Sequence, residues 1–194
     1  VAEFVKSKIE GAFIIQPQVY HDERGYFFES YNEIEYFNYI LKSDSSKVTA
    51  TSIHPVKWVQ DNQSFSIEGV LRGLHIQTSR PQNKLIRVMQ GKIWDVIVDL
   101  RSPEKLEWQA FELSAENRNQ LFIPWWCAHG FLALEESVVL YKVDEHRMAE
   151  HEVTIMWDDP TVKIDWPLKP GWPVVSEKDE NGISYQTFSE KFHE

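Results

Sequence analysis

At 194 residues, with 42% hydrophobic and 26% charged side chains and no linker-like shift of composition, the chain is long enough for one well-buried core and is expected to fold as a single domain over residues 1–194. Its net charge of −10 argues against a nucleic-acid surface, which needs clustered Lys and Arg, although a local basic pocket can still hold a small phosphorylated ligand. The single cysteine, Cys127, excludes an intrachain disulfide and a cysteine-rich zinc site; with no signal-peptide pattern and no apolar run long enough to cross a bilayer, a cytoplasmic protein without a membrane partner is expected.

Residues 11–16 and 25–31 read as the first two strands, joined through Pro17 and the turn-prone His21-Asp22-Glu23. Asn32 is placed to cap a helix running to residue 42, with Glu35 three positions on in a capping-box pattern. Residues 43–52 are polar and aperiodic and read as a loop. Next, alternation puts Gln60, Asn62 and Ser64 on one face of a strand and Val59, Asp61 and Gln63 on the other. A further strand over 69–77 holds Arg72 and His75, which strict alternation would send to opposite faces. Gly73 between them suits a β-bulge, which shifts the pleat by one residue and would let Arg72 and His75 share a cavity.

Residues 85–89 and 92–100 carry the clearest strand signal and meet at Gln90-Gly91, a plausible hairpin turn. In the second of them Trp94, Val96, Val98 and Leu100 share one face, while Ile93, Asp95, Ile97 and Asp99 share the other; one face is expected to be core and the other mixed. Short strands follow at 108–113, 120–123, 129–134, 138–143 and 153–157. Pro160, Pro167, Pro170 and Pro173 then make an irregular crossing and not a long helix. Residues 180–194 read as a polar tail with a few anchoring aromatics. Many short strands around one helix predict an antiparallel sandwich or barrel.

Several ordered motifs are more specific than any single one. Asp22-Glu23-Arg24-Gly25-Tyr26-Phe27-Phe28-Glu29, Gln60-Asp61-Asn62-Gln63-Ser64, Gly69-Val70-Leu71-Arg72-Gly73-Leu74-His75, Leu113-Ser114-Ala115-Glu116-Asn117, Ala128-His129-Gly130-Phe131, Tyr141-Lys142 and Ser176-Glu177-Lys178-Asp179 stand in that order. Together they resemble the dTDP-4-dehydrorhamnose 3,5-epimerases, cupin-like enzymes that invert stereocentres on nucleotide-linked 4-keto-6-deoxy sugars. The resemblance covers roughly residues 11–180 and implies a mainly β, cupin-type jelly-roll barrel with few short helices, working as a homodimer.

Read alone, the polar residues decide little: His75 suits a structural hydrogen bond, Asp179 a solvated charge, Tyr141 one more strand aromatic, Lys84 and Arg72 surface cations. The resemblance assigns them work. His75 matches the catalytic base, a role for which histidine is the side chain whose unperturbed pKa is suited, and Asp179 matches the carboxylate that orients it. Tyr141 matches the acid that returns the proton from the opposite face, and Lys84 and Arg72 match partners of the enolate and diphosphate. Arg24 and Glu29 match residues that reach nucleotide-sugar in a neighbouring subunit, Gln60 and Asn62 match contacts within the site, and His129 matches an active-site histidine without an assigned role. A C4 ketone acidifies the protons on C3 and C5, so the chemistry needs no cofactor. A cupin metal centre is not expected, because His75-Ile76-Gln77 has Gln where a His-x-His ligand pair needs its second His.

Two departures from the family pattern stand out. Trp126-Cys127 replaces a Gly-Phe pair before Ala-His-Gly, and His146-Arg147 replaces a Tyr-Tyr pair after Tyr-Lys. Both leave the nucleotide and the number of centres inverted open. The rival readings are an enzyme of the same fold acting on a GDP- or CDP-linked hexose or heptose, or on one centre only, and a non-catalytic sugar-binding cupin. Cys127, two residues before His129, suits a small buried apolar residue better than a nucleophile.

Overall fold

The computed structural model describes residues 2–43, 56–104 and 106–192. In chain order the strands are β1 (Glu3–Lys6), β2 (Phe13–Gln16), β3 (Tyr20–Asp22), β4 (Gly25–Phe27), β5 (Gln60–Ser66), β6 (Val70–Gln77), β7 (Lys84–Gln90), β8 (Lys92–Asp99), β9 (Glu107–Ser114), β10 (Gln120–Ile123), β11 (Cys127–Ala133), β12 (Ser137–Val143), β13 (Glu152–Thr154) and β14 (Val174–Val175). The helices are α1 (Glu33–Ser43), α2 (Glu177–Glu180) and α3 (Tyr185–Phe192). Two sheets form the body, ordered β1-β2-β10-β7-β12-β5 and β13-β6-β11-β8-β9, with β14 added parallel to β6 and β3–β4 standing apart as a hairpin. This is the antiparallel, mainly β architecture expected. The loop expected at 43–52 lies almost wholly outside the described residues.

Three apolar layers result. Between the sheets, Ile86, Val88, Leu121 and Val139 of the first meet Ile93, Ile97, Leu113 and Phe131 of the second. On the outer face of the first sheet, Phe13, Ile15, Leu85 and Phe122 are covered by Tyr36 of α1. Asn32 starts that helix as expected, its Oδ1 accepting from the Ile34 and Glu35 backbone N–H groups at 3.1 and 3.3 Å, a cap that stabilises by about 1 kcal/mol. The Glu35 carboxylate accepts from the Ala2 N–H at 3.3 Å and so ties the helix to the start of β1.

The outer face of the second sheet corrects an expectation. Val96, Val98 and Leu100 are buried there against Val162, Trp166, Tyr185 and Phe188, while Ile93 and Ile97 on the other face are equally buried, so both faces of β8 are core. The covering comes from the segment after β13. The crossing is irregular, as its prolines predict, but residues 185–192 form a helix, and its buried Tyr185 and Phe188 are the anchoring aromatics. Buried Asp159 joins the two, its carboxylate accepting from the Thr161, Val162 and Tyr185 N–H groups at 2.8, 3.1 and 2.8 Å.

A second correction concerns Gln90-Gly91. β7 pairs with β10 and β12, whereas β8 pairs with β9 and β11, so the dipeptide is a corner between sheets and not a hairpin turn. Gly91 has φ +73°, and a Cβ there would stand 2.1 Å from the Glu136 carbonyl oxygen. Either geometry asks for a glycine, which is why local sequence could not separate them. The strand expected over 25–31 ends at Phe27, and β1 was not anticipated; its Glu3, Val5 and Lys6 are exposed, so it shows little apolar alternation.

Candidate active site

The site is a cavity of about 450 Å³ lined by strands of both sheets. Its second-sheet wall is set by β6. His129 of β11 stands opposite His75, and Phe131 opposite Arg72, so two steps along β11 meet three along β6: the extra residue is the expected bulge. Gly73 lies at φ +105°, and a Cβ would come within 2.6 Å of the His129 carbonyl oxygen, so only glycine allows this approach. Arg72 and His75 consequently line one cavity. Arg72 is held by Nε to Ser66 Oγ and by Nη2 to the Phe65 carbonyl, both at 2.9 Å.

Asp179, 104 residues from His75 in sequence, arrives through β14. Val174 and Val175 pair with Val70 and Leu71, and α2 follows at once, capped by Ser176, whose Oγ accepts from the Asp179 N–H at 3.2 Å. The buried Asp179 carboxylate then meets His75 Nε2 at 2.5 Å. Burial pushes the Asp179 pKa up, but the hydrogen bond and charge of His75 outweigh it and hold the group below its ordinary value, ionised. A carboxylate only accepts, so Nε2 carries the proton of this contact, and in a neutral imidazole so oriented Nδ1 keeps the lone pair.

A second His–Asp pair lies alongside. His129 Nε2 meets Asp95 of β8 at 2.9 Å, and Asp95 is fully buried. Burial lowers the His129 pKa against the pull of Asp95. Asp95 escaped sequence reading as a functional candidate; its only mark is a carboxylate between Ile93 and Ile97 on an inward face.

The first sheet supplies the opposite wall. Along β5 the half-buried Gln60, Asn62 and Ser64 alternate with exposed Asp61, Gln63 and Phe65, as expected, and Asn62 stands opposite Tyr141 of β12. Gln60 Nε2 donates to Asn62 Oδ1 at 2.7 Å, so Gln60 supports a cavity-lining residue without lining the cavity itself. Tyr141 has its pKa raised by burial and by Glu152, against Arg147 and Arg72, and remains a proton donor well above neutrality. Lys84, at the start of β7, has its pKa lowered to about 8 by burial, partly opposed by Glu152 and Asp95.

Arg24 and Glu29 are not brought here. Arg24 sits on the β3–β4 hairpin, paired at 2.5 Å with Asp22, and Glu29 lines a small separate depression with Asn32 and Tyr36. Of the two departures, Trp126 packs under Arg101, 4.8 Å from its ring, and against Gly11, away from the cavity. Burial pushes the Cys127 thiol well above its ordinary pKa, as for an inert core residue. Arg147 does line the cavity, next to Glu152 and Lys178, which sequence reading also missed as site residues. Burial pushes the Glu152 pKa up, yet hydrogen bonds from Arg147 and Lys178 bring it down to about 2. Among the described residues no group of three or more His, Cys, Asp or Glu side chains is placed to hold a metal ion.

The family model for dTDP-4-dehydrorhamnose 3,5-epimerase matches residues 6–187. This chain belongs to the dTDP-4-dehydrorhamnose 3,5-epimerase family. The enzyme of that name from Methanothermobacter thermautotrophicus is 47% identical over 182 residues, 92% of this chain and 91% of that one; the one from Pseudomonas aeruginosa is 44% identical over 91% and 92%. Among solved structures, dTDP-6-deoxy-D-glucose-3,5-epimerase from Legionella pneumophila in complex with dTDP-4-keto-L-rhamnose matches with a TM-score of 0.87 at 34% identity, over 99% of this chain and 97% of its own. The fold is the cupin-like one of these epimerases, and of the residues expected in the site, His75, Tyr141, Asp179, Lys84, Arg72, Asn62 and His129 line the cavity, while Gln60 stands one step behind its wall and Arg24 and Glu29 lie outside it.

Proposed function

We propose that the chain inverts C3 and C5 of a dTDP-linked 4-keto-6-deoxy sugar, most simply dTDP-4-keto-6-deoxyglucose, by proton removal at His75 and return at Tyr141. The observation that carries this reading is the placement of an Asp179-bound imidazole on one sheet and a protonated phenol on the other, across a cavity that also holds Lys84. Inversion needs base and acid on opposite faces of one carbon, and two facing sheets supply them. His75 Nδ1 takes the C3 or C5 proton while Nε2 stays on Asp179, which stabilises the imidazolium that forms. The electron pair moves onto the C4 oxygen, and the Lys84 ammonium opposes that growing charge. Tyr141 then protonates the same carbon from the far side.

Binding follows from local charge. Arg72, Lys84, Arg147 and Lys178 line the cavity against two carboxylates, Glu152 and Asp179, so a protein of net charge −10 keeps a basic pocket suited to a diphosphate. The His75–Asp179 pair, a buried charge with no use in a passive binding module, favours an enzyme over a sugar-binding cupin. The exposed Arg24, on a hairpin carrying exposed Tyr20, Tyr26 and Phe27, supports a homodimer in which each hairpin serves the neighbouring site.

Incubation with dTDP-, GDP- and CDP-linked 4-keto sugars in deuterated water tests the reading. Deuterium at both C3 and C5 of the dTDP sugar alone is expected, and Tyr141→Phe should keep wash-in of deuterium while yielding little inverted product. Label at one centre only, or preference for another nucleotide, would replace the proposal by the corresponding narrower or altered activity.

A further inference from the structure

Gln77 is two residues beyond His75 on β6 and buried, and its amide makes three hydrogen bonds. Nε2 donates to the Arg80 carbonyl at 2.6 Å and the His146 carbonyl at 3.3 Å, while Oε1 accepts from the Met148 N–H at 2.8 Å. Those partners fix which end of the amide is which, because carbonyls only accept and the N–H only donates. Two of the three bonds bracket Arg147, one at the carbonyl before it and one at the N–H after it. The Arg147 N–H itself donates to Gln60 Oε1 at 3.4 Å, and its Nε donates at 2.7 Å to Glu152, which stands opposite Gln77 in the β6–β13 ladder.

The backbone around Arg147 and the inner nitrogen of its guanidinium are therefore held from three sides. The Glu152 contact uses Nε and leaves the Nη end of a cavity-lining side chain for a ligand. With 56% of its side chain exposed against 27% for His75, Arg147 belongs to the mouth and not to the reacting end. A long flexible cation loses much conformational freedom on gripping a ligand, and a prealigned one loses less.

We propose that Gln77 is a positioning residue that aims Arg147 at the nucleotide end of the substrate, and so governs how tightly the nucleoside diphosphate is held. This rests on the nucleotide-sugar reading of the same cavity. The chemistry expected at the Nη groups is a phosphate or nucleobase carbonyl oxygen, either of which accepts from the guanidinium fork.

Calorimetric binding of dTDP to the wild-type protein, Gln77→Glu, Arg147→Ala and the double variant tests it. Gln77→Glu keeps the size and the acceptor for Met148 but sets a carboxylate oxygen against the His146 and Arg80 carbonyls. Each single substitution should weaken dTDP by about tenfold, and the double variant should be no weaker than Arg147→Ala alone. With substrate, the loss should appear in KM, with kcat falling far less. Should Gln77→Glu fail to fold, Gln77→Met, which removes the amide and keeps the bulk, takes its place in the cycle. Additive losses would reduce Gln77 to a structural role, and an unchanged dTDP affinity in Arg147→Ala would remove the cation from nucleotide binding. A loss confined to kcat would also overturn the proposal, because a residue that governs nucleotide binding should act on KM. Because dTDP binding needs no turnover, a wild-type protein that binds dTDP but epimerises no sugar would sink the proposed reaction and leave this inference standing.

Discussion

In Lys84 a cost to the fold meets the proposed role in the reaction. Burial brings its pKa to about 8, so the free enzyme loses the ammonium as pH rises through that value. If the ammonium opposes the enolate charge, kcat/KM should fall above a pH of about 8, since that ratio reports the free enzyme. Lys84→Arg, whose guanidinium stays charged, should remove this alkaline limb even if turnover drops; a limb that persists unchanged would assign it to another group. The effect on stability has the opposite sign. The native state releases this proton before the unfolded chain does, so the Lys84 contribution to stability rises between about pH 8 and 10.5 while activity is being lost. At this scale the sequence named His75, Tyr141, Lys84 and Asp179 through motif likeness. It did not expose Asp95 or Glu152, because a buried carboxylate and a solvated one are the same letter until their neighbours are known.

Among the elements, β6 decides the most. Its bulge was readable, because Arg72 and His75 at a three-residue spacing with a glycine between them conflict with strict alternation, and few local devices resolve that conflict. Gly73→Ala puts a Cβ at φ +105° and 2.6 Å from a backbone oxygen. The variant should lose about 1–3 kcal/mol of stability, measured as a shift in denaturant midpoint, and more activity than that loss explains, because Arg72 and His75 would no longer share a wall. A variant with wild-type activity would show that the bulge does not set the site. The Gln90-Gly91 corner was misread for a complementary reason. A positive-φ glycine between two β-rich runs satisfies a hairpin and a sheet-to-sheet corner equally, and only the pairing of distant strands separates them.

For the whole molecule, the question is how residues outside the cavity take part. Arg24 lies on an exposed hairpin whose Tyr20, Tyr26 and Phe27 are 56%, 57% and 65% exposed, an apolar surface suited to a second copy. If Arg24 completes the partner's site, co-expressed Arg24→Ala and His75→Ala chains should recover activity that neither homodimer shows, because hybrid dimers contain one intact site, about a quarter of all sites at equal mixing. No recovery in a demonstrated hybrid would confine each site to one chain. By itself the sequence determined the strand-rich class, the capped helix, the bulge and the family motifs, all of which rest on spacings of a few residues and on steric demands that one residue type meets. The tertiary structure alone decided that both faces of β8 are core, that residues 185–192 form a helix on the second sheet, that Asp179 reaches His75 through β14, and that Gln77 brackets Arg147. Those depend on which distant surfaces cover one another, and apolar burial is non-directional: it rewards contact without encoding, in any short stretch, the identity of the partner.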